Sequence, residues 1–117
     1  MMKGVAVAAD CIFCKIIGKE IPSEFIYEDD DMIAIRDINP KAPVHLLIIP
    51  RKHIRSINDI EAVDEALLGR MMTVAKGLAV KEGTDQSGYR VFFNVEKGGG
   101  QEVFHLHLHL VGGFDRG

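Results

Sequence analysis

The chain has 117 residues, 47% of them hydrophobic, and a formal charge of −3, enough for one domain with its own core and too little for two. No apolar run is long enough to span a bilayer, and no basic stripe marks a site for long nucleic acid, although a single nucleotide needs only a few donors. The opening run Val5-Ala6-Val7-Ala8-Ala9 is too short for a secretory signal, so a cytoplasmic setting is expected, with residues 1–9 a flexible tail ahead of a single domain over 10–117.

Asp10 is placed to cap a short helix over residues 11–17, which Gly18 ends. Cys11 and Cys14 are the two cysteines, and at this spacing in a cytosolic protein they suggest metal or redox chemistry rather than a structural disulfide. Residues 25–28 and 32–36, joined across Asp29-Asp30-Asp31, read as a hairpin with a charged tip. Asn39-Pro40-Lys41-Ala42-Pro43 forces a loop, and residues 44–49 follow as a β-rich apolar run closed by Pro50. Asn58 or Asp59 opens one long helix reaching about Glu82. In it Ile60, Val63, Leu67, Leu68, Met71, Val74, Ala75, Leu78 and Ala79 recur at helical spacing before Gly83. Met71 and Met72 suit a core or a subunit interface better than a binding groove. Residues 89–95 form a strand, apolar on both faces at Val91, Phe92 and Phe93, as if covered by an extra layer such as a second subunit. After Gly98-Gly99-Gly100 the last strand spans residues 102–111. The order helix, three strands, helix, two strands predicts the α+β class with a largely antiparallel sheet.

The last strand carries the chemistry. His105, His107 and His109 alternate with Leu106, Leu108 and Leu110. In a strand the imidazoles therefore line one face, and Phe104 with the three leucines lines the other. Near neutral pH imidazole serves as base, nucleophile, phosphate donor or metal ligand. The plain structural alternative is a half-buried strand whose solvent face carries histidines. The preceding glycines let backbone approach an anion, so amides near residues 100–103 are candidate phosphate donors. Without the histidines the run would read as a flexible loop.

The pattern His-φ-His-φ-His-φ-φ over residues 105–111, flanked by Gly99-Gly100-Gln101 and Gly112-Gly113, resembles the histidine triad signature. The resemblance continues upstream through Ile12-Phe13-Cys14-Lys15-Ile16, Glu20-Ile21-Pro22-Ser23, Asp37-Ile38-Asn39-Pro40-Lys41-Ala42-Pro43-Val44-His45 and Ile49-Pro50-Arg51-Lys52-His53. It covers residues 11–113, and Gly112-Gly113 resembles the Hint branch of the superfamily rather than the fragile-histidine-triad branch. It implies a histidine triad fold of about five strands with one short and one long helix, the sheet continuing across a homodimer.

The resemblance also implies an activity, hydrolysis of adenosine or guanosine phosphoramidates. His107 would attack the α-phosphorus, and water would release the nucleotidyl-histidine as nucleoside monophosphate. His109 and His45 would donate hydrogen bonds to the phosphoryl oxygens, where charge redistributes in the transition state. Asp37 would hold the ribose hydroxyls. Phe13, Ile16, Ile35 and Ile38, otherwise read as core, would form the slot for the base, with Ile35 where relatives often carry an aromatic ring. Asn94 and the backbone of Gly100, Gln101 and Val103 would lie near the phosphate and leaving group. Glu102 stands where animal members usually have serine. A carboxylate beside a phosphate is unfavourable unless it points away or is protonated, and contact with an amine leaving group is the role expected of Glu102.

For the cysteines, the resemblance implies a closed tetrahedral zinc site of Cys11, Cys14, His53 and His105, tying the first helix to the triad. A reduced, unliganded pair and a redox pair are the alternatives. No organic cofactor is implied. Two functional rivals stand beside phosphoramidate hydrolysis: a dinucleoside polyphosphate hydrolase using the same histidines, and a nucleotide-binding regulatory module with incidental turnover.

Overall fold

The computed structural model describes residues 10–114, so the tail expected over residues 1–9 lies outside the described residues. Helix α1 (Ile12–Ile17) precedes β1 (Tyr27–Glu28), β2 (Met32–Arg36) and β3 (Val44–Pro50). Two 3-10 turns, Ile57–Asp59 and Ala62–Asp64, lead into α2 (Glu65–Lys81), then β4 (Tyr89–Phe92), a 3-10 turn at Lys97–Gly99 and β5 (Leu108–Gly112). The strands form one antiparallel sheet in the order β1-β2-β3-β5-β4. Class and element order match the sequence expectation. Among the described residues no helix is long and apolar enough to cross a membrane.

Period-two alternation in strands that are apolar on both faces gives three layers. Met32, Ala34, Leu46, Ile48, Leu108 and Leu110 face one side, where Met71, Ala75, Leu78 and Ala79 of α2 cover them. Ile33, Ile35, Leu47 and Ile49 take the other side with Cys11, Phe13 and Ile16 around α1. Removing these side chains from water, at about 25 cal/mol per Å² of apolar surface, is the main force joining the layers. Leu47 is the cross-strand partner of His109, so His109 shares the α1 face. That register places the chemistry under the short helix.

Several boundaries differ from the sequence expectation, each for a local reason. Cys11, not Asp10, caps α1, its Sγ accepting from Cys14 N at 3.3 Å, while Gly18 closes the helix as expected. Helix α2 starts at Glu65 rather than at 58 or 59. Ser56 caps a separate turn, and a capping box between Glu61 and Asp64 starts the next; Val63 therefore leaves the core stripe and is exposed. Strand β1 is confined to Tyr27–Glu28, shorter than the expected residues 25–28. Strand β5 begins at Leu108 rather than at 102. Its ladder with β3 ends at Ile48↔Leu108; Pro50 has no N–H, and its carbonyl instead accepts from the His105 ring at 2.8 Å. Only His109 of the triad lies within a strand, and Phe104 turns outward beneath Arg55.

Strand β4 stops at Phe92, short of residue 95, and is an edge strand. Within the chain Val91 and Phe93 pack, partly buried, against the α2 core, and Phe92 stacks on His109. The glycine pair after β5 is a packing requirement. A Cβ on Gly112 would lie 2.9 Å from Thr84 Cγ2; Gly113 has φ +80°, and a Cβ there would lie 3.0 Å from Pro43 Cβ.

Candidate functional site

All three triad imidazoles are buried, so a histidine-bearing solvent face is excluded. Burial pushes His105, His107 and His109 below the ordinary imidazole range, His105 and His109 to about 4. Near pH 7 each ring is neutral and holds one proton. Backbone partners decide which nitrogen holds it, because an amide only donates and a carbonyl only accepts.

Lys41 N donates to His45 Nδ1 at 3.0 Å. The His45 proton is then on Nε2, 3.0 Å from His109 Nδ1 and 3.3 Å from Asp37 Oδ2. Donation to His109 Nδ1 leaves the His109 proton on Nε2, and that buried nitrogen has no hydrogen-bond partner among the described residues. His107 is arranged the other way. Its Nδ1–H donates to the His105 carbonyl oxygen at 2.7 Å, which leaves the lone pair on Nε2. The His107 and His109 ring centroids are 4.8 Å apart. A fixed lone pair and an unpartnered donor thus sit side by side. Phe13 meets the His107 ring edge-on at 5.0 Å, and Phe92 stacks on His109 at 4.7 Å, which restrains both rings.

The His105 ring looks the other way. Its Nε2–H is given to Pro50, so the Nδ1 lone pair faces Cys11 Sγ at 3.2 Å, Cys14 Sγ at 3.5 Å and His53 Nδ1 at 3.1 Å. Cys14 Sγ is 3.4 Å from His53 Nδ1, and these four atoms all lie within 4.8 Å of one another. Tetrahedral zinc with ordinary bond lengths has N–N edges of about 3.3 Å and N–S edges of about 3.5 Å. These four separations fit the edges of a closed tetrahedral metal site. Both thiols are free. Burial and the adjacent Cys11 push the Cys14 thiol up to about 12, and a cation at this point would supply the charge that a thiolate needs.

Asp37, His45 and His109 also gather ligand-type atoms within 4.8 Å. The His45 proton lies between them, so they form a hydrogen-bond chain instead. In that chain the His45 Nε2–H is turned toward His109 and Asp37.

The remaining expected residues divide. Phe13, Ile16 and Ile35 lie together in the apolar cluster under α1. Ile38 does not join them: the chain turns after β2, with Asn39 N on Asp37 Oδ1 at 2.8 Å, and Ile38 is 91% exposed. Asn94 lies beside Gly100. The Gly100 and Gln101 amides are committed to Lys97 and Glu96 carbonyls, so neither is free for a phosphate; those of Glu102 and Val103 have no partner among the described residues. The Gln101 side chain is also taken. It accepts from Glu96 N at 2.8 Å and donates to the Arg55 and Val103 carbonyls at 2.8 and 3.1 Å, which makes it a loop clamp. Glu102 is exposed and lines a cleft of about 770 Å³ with Cys11, His53, Arg55 and Phe104, on the metal-cluster side.

Sequence reasoning passed over Phe92, Lys41 and Glu96. Alternation could have found Phe92, the cross-strand partner of His109. Lys41 acts through its backbone, which leaves no trace in residue type, and Glu96 acts through a loop conformation.

Comparison with known proteins agrees with this geometry. The HIT domain family model matches residues 18–116. The chain is 51% identical over 107 residues to "Purine nucleoside phosphoramidase" of Escherichia coli (strain K12), covering 92% of this chain and 90% of the relative. It is 48% identical to "Protein HitA" of Neisseria gonorrhoeae, covering 88% and 95%. The crystal structure of a HIT family hydrolase from Legionella pneumophila Philadelphia 1 superimposes with TM-score 0.89 at 53% identity, over 92% of this chain and 96% of that one. A Zn-bound histidine triad family protein from Mycobacterium smegmatis matches with TM-score 0.79 at 30% identity, covering 93% and 78%. The chain belongs to the HIT domain family and is a HIT-family hydrolase.

Proposed function

We propose that this enzyme cleaves the P–N bond of purine nucleoside phosphoramidates through a nucleotidyl-His107 intermediate. The observation that carries the reading is the pairing of the His107 Nε2 lone pair with the unpartnered Nε2–H of His109. The first group is a nucleophile in its reactive tautomer; the second is a donor ready for a phosphoryl oxygen. The name of the E. coli relative supports the substrate class.

In the first step His107 Nε2 bonds to the α-phosphorus as the P–N bond breaks, and the amine leaves after its nitrogen gains a proton from water. In the second, a water oxygen bonds to phosphorus, loses its proton to solvent, and the P–Nε2 electron pair returns to His107. The product is the nucleoside monophosphate. His109 donates to the phosphoryl oxygen in both steps, held by His45, whose other nitrogen is fixed by Lys41 N. Phe13, Ile16 and Ile35 offer the apolar wall for the base, Asp37 the ribose contact, and Asn94 with the Glu102 and Val103 amides the phosphate and leaving-group side. Glu102 is the carboxylate a departing amine would meet if its exposed side chain swings from the cleft toward His107.

Zinc is the metal that best suits Cys11, Cys14, His53 and His105, and when bound it supplies a cross-link with no open position for substrate. Free thiols at that centre suit a reducing compartment such as the cytoplasm. The open edge of β4 offers a second copy of the chain a strand to pair with, consistent with a homodimer.

Side-by-side turnover of adenosine phosphoramidate and of diadenosine tri- and tetraphosphate, with His107→Ala as the blank, tests the reading. Preference for the phosphoramidate, lost in the variant, supports it. Preference for the dinucleotides favours the polyphosphate hydrolase. Tight monophosphate binding without turnover favours the regulatory module.

A further inference from the structure

Glu96 is the one position in the triad loop that a side-chain-bearing residue holds at a cost. Its backbone sits at φ +62°, ψ 174°, a region that glycine occupies freely and other residues avoid. Such a conformation persists only where its surroundings over-determine it, and here they do. One carboxylate oxygen of Glu96 accepts from the Arg55 guanidinium, from Ser56 Oγ at 2.7 Å and from Asn58 Nδ2 at 3.5 Å. Its N–H donates to Gln101 Oε1 at 2.8 Å, and its carbonyl accepts from Gly99 N and Gln101 N at 3.0 and 3.1 Å. Ser56 is fully buried and Gln101 nearly so. Gln101 then reaches the Arg55 and Val103 carbonyls, and Ile54 O accepts from Leu106 N at 2.7 Å. Two segments are stapled together, 54–58 and 96–106. The first follows His53 and the second delivers His105 and His107.

We propose that Glu96 is a positioning residue for the reaction: its carboxylate anchors the glycine loop so that Asn94 and the free amides of Glu102 and Val103 are held on the leaving-group side of His107. The inference rests on the hydrolase reading above. Glu96 itself touches no reacting atom. A staple at this place acts on the departing group more than on the nucleoside, because the base wall of Phe13, Ile16 and Ile35 is built under α1.

Three variants separate positioning from simple folding. Glu96→Ala keeps the strained backbone and loses the anchor. Glu96→Gln keeps an acceptor for Arg55 and Ser56, and Glu96→Gly relieves the backbone without restoring the anchor. With adenosine phosphoramidate, Glu96→Ala and Glu96→Gly are expected to lose about tenfold or more in kcat while AMP inhibition stays within about twofold, and Glu96→Gln to recover to within about threefold of the parent. The proposal is overturned if Glu96→Ala stays within about twofold in kcat, or if AMP affinity and kcat fall together in step with Tm. A parent chain that turns over no phosphoramidate would contradict the hydrolase reading instead. Amide exchange then decides for Glu96: faster exchange at Gly99–Gln101 in Glu96→Ala, with β5 unchanged, supports the anchor, and unchanged exchange refutes it.

Discussion

The carbonyl oxygen of His105 accepts the Nδ1 proton of His107 at 2.7 Å, so the reactive tautomer of one triad member is set by the backbone of another. The ring of that same His105 lies 3.2 Å from Cys11 Sγ. The cysteine cluster and His107 are therefore joined through a single residue, a route by which disturbance of one is expected to reach the other.

If zinc occupies the Cys11, Cys14, His53 and His105 cluster, its loss should reduce rate as well as stability. Cys14→Ala is expected to abolish bound zinc, lower Tm by several degrees and reduce kcat by about 10–100-fold, with smaller effect on nucleotide affinity. Metal analysis and calorimetry on protein purified without chelator check this. Parent protein holding less than about half an equivalent of zinc per chain contradicts it.

In the proposed reaction His109 donates to the phosphoryl oxygen through its unpartnered Nε2. His109→Ala should cost about 10²–10³ in kcat, the usual effect of removing one oxyanion donor. His45→Ala, acting one ring further away, should cost less, about tenfold. Steady-state kinetics that rank the two in the opposite order would reassign the direct donor.

Burial holds His109 at about 4 against an ordinary 6.5, with His107 and His45 lowering it further and Asp37 opposing them. Between those values the unfolded chain binds the proton and the folded one does not. Stability therefore rises with pH across that window and falls as pH drops from 6.5 toward 4. Thermal melts should show the decline, and His109→Gln should make it shallower, the other buried histidines supplying the remainder.

If Glu102 receives the amine, Glu102→Gln should reduce kcat/KM for phosphoramidates by about tenfold while leaving mixed anhydrides nearly unchanged. Equal effects on both substrates would remove Glu102 from that role.

Gly112→Ala would place a methyl 2.9 Å from Thr84. The expected loss is about 1–3 kcal/mol in urea denaturation, a packing effect separate from chemistry.

The layers and the histidines were legible because they follow periodicity and residue type. Met32–Arg36 lies where alternation places it, and Leu46 and Ile48 take the α2 side while Leu47 and Ile49 take the other. What escaped were consequences of single backbone groups. The missing N–H of Pro50 ends the β3–β5 ladder and frees residues 102–107 to turn. The Glu61–Asp64 box delays α2. Ile38 reads as apolar wall by type, yet the turn after Asp37 leaves it in solvent. Gln101 was expected near the nucleotide; its amide is fully engaged by backbone that no linear pattern reveals.

In the proposed reaction His107 Nε2 forms the bond to phosphorus. Rapid alkaline quench during turnover of adenosine phosphoramidate, followed by mass spectrometry of the peptide containing His107, tests it most directly. An adenylyl group on His107 that appears early, disappears on chase and is absent in His107→Ala is the predicted result. Turnover with no adduct on that peptide, or normal turnover by His107→Ala, would contradict it.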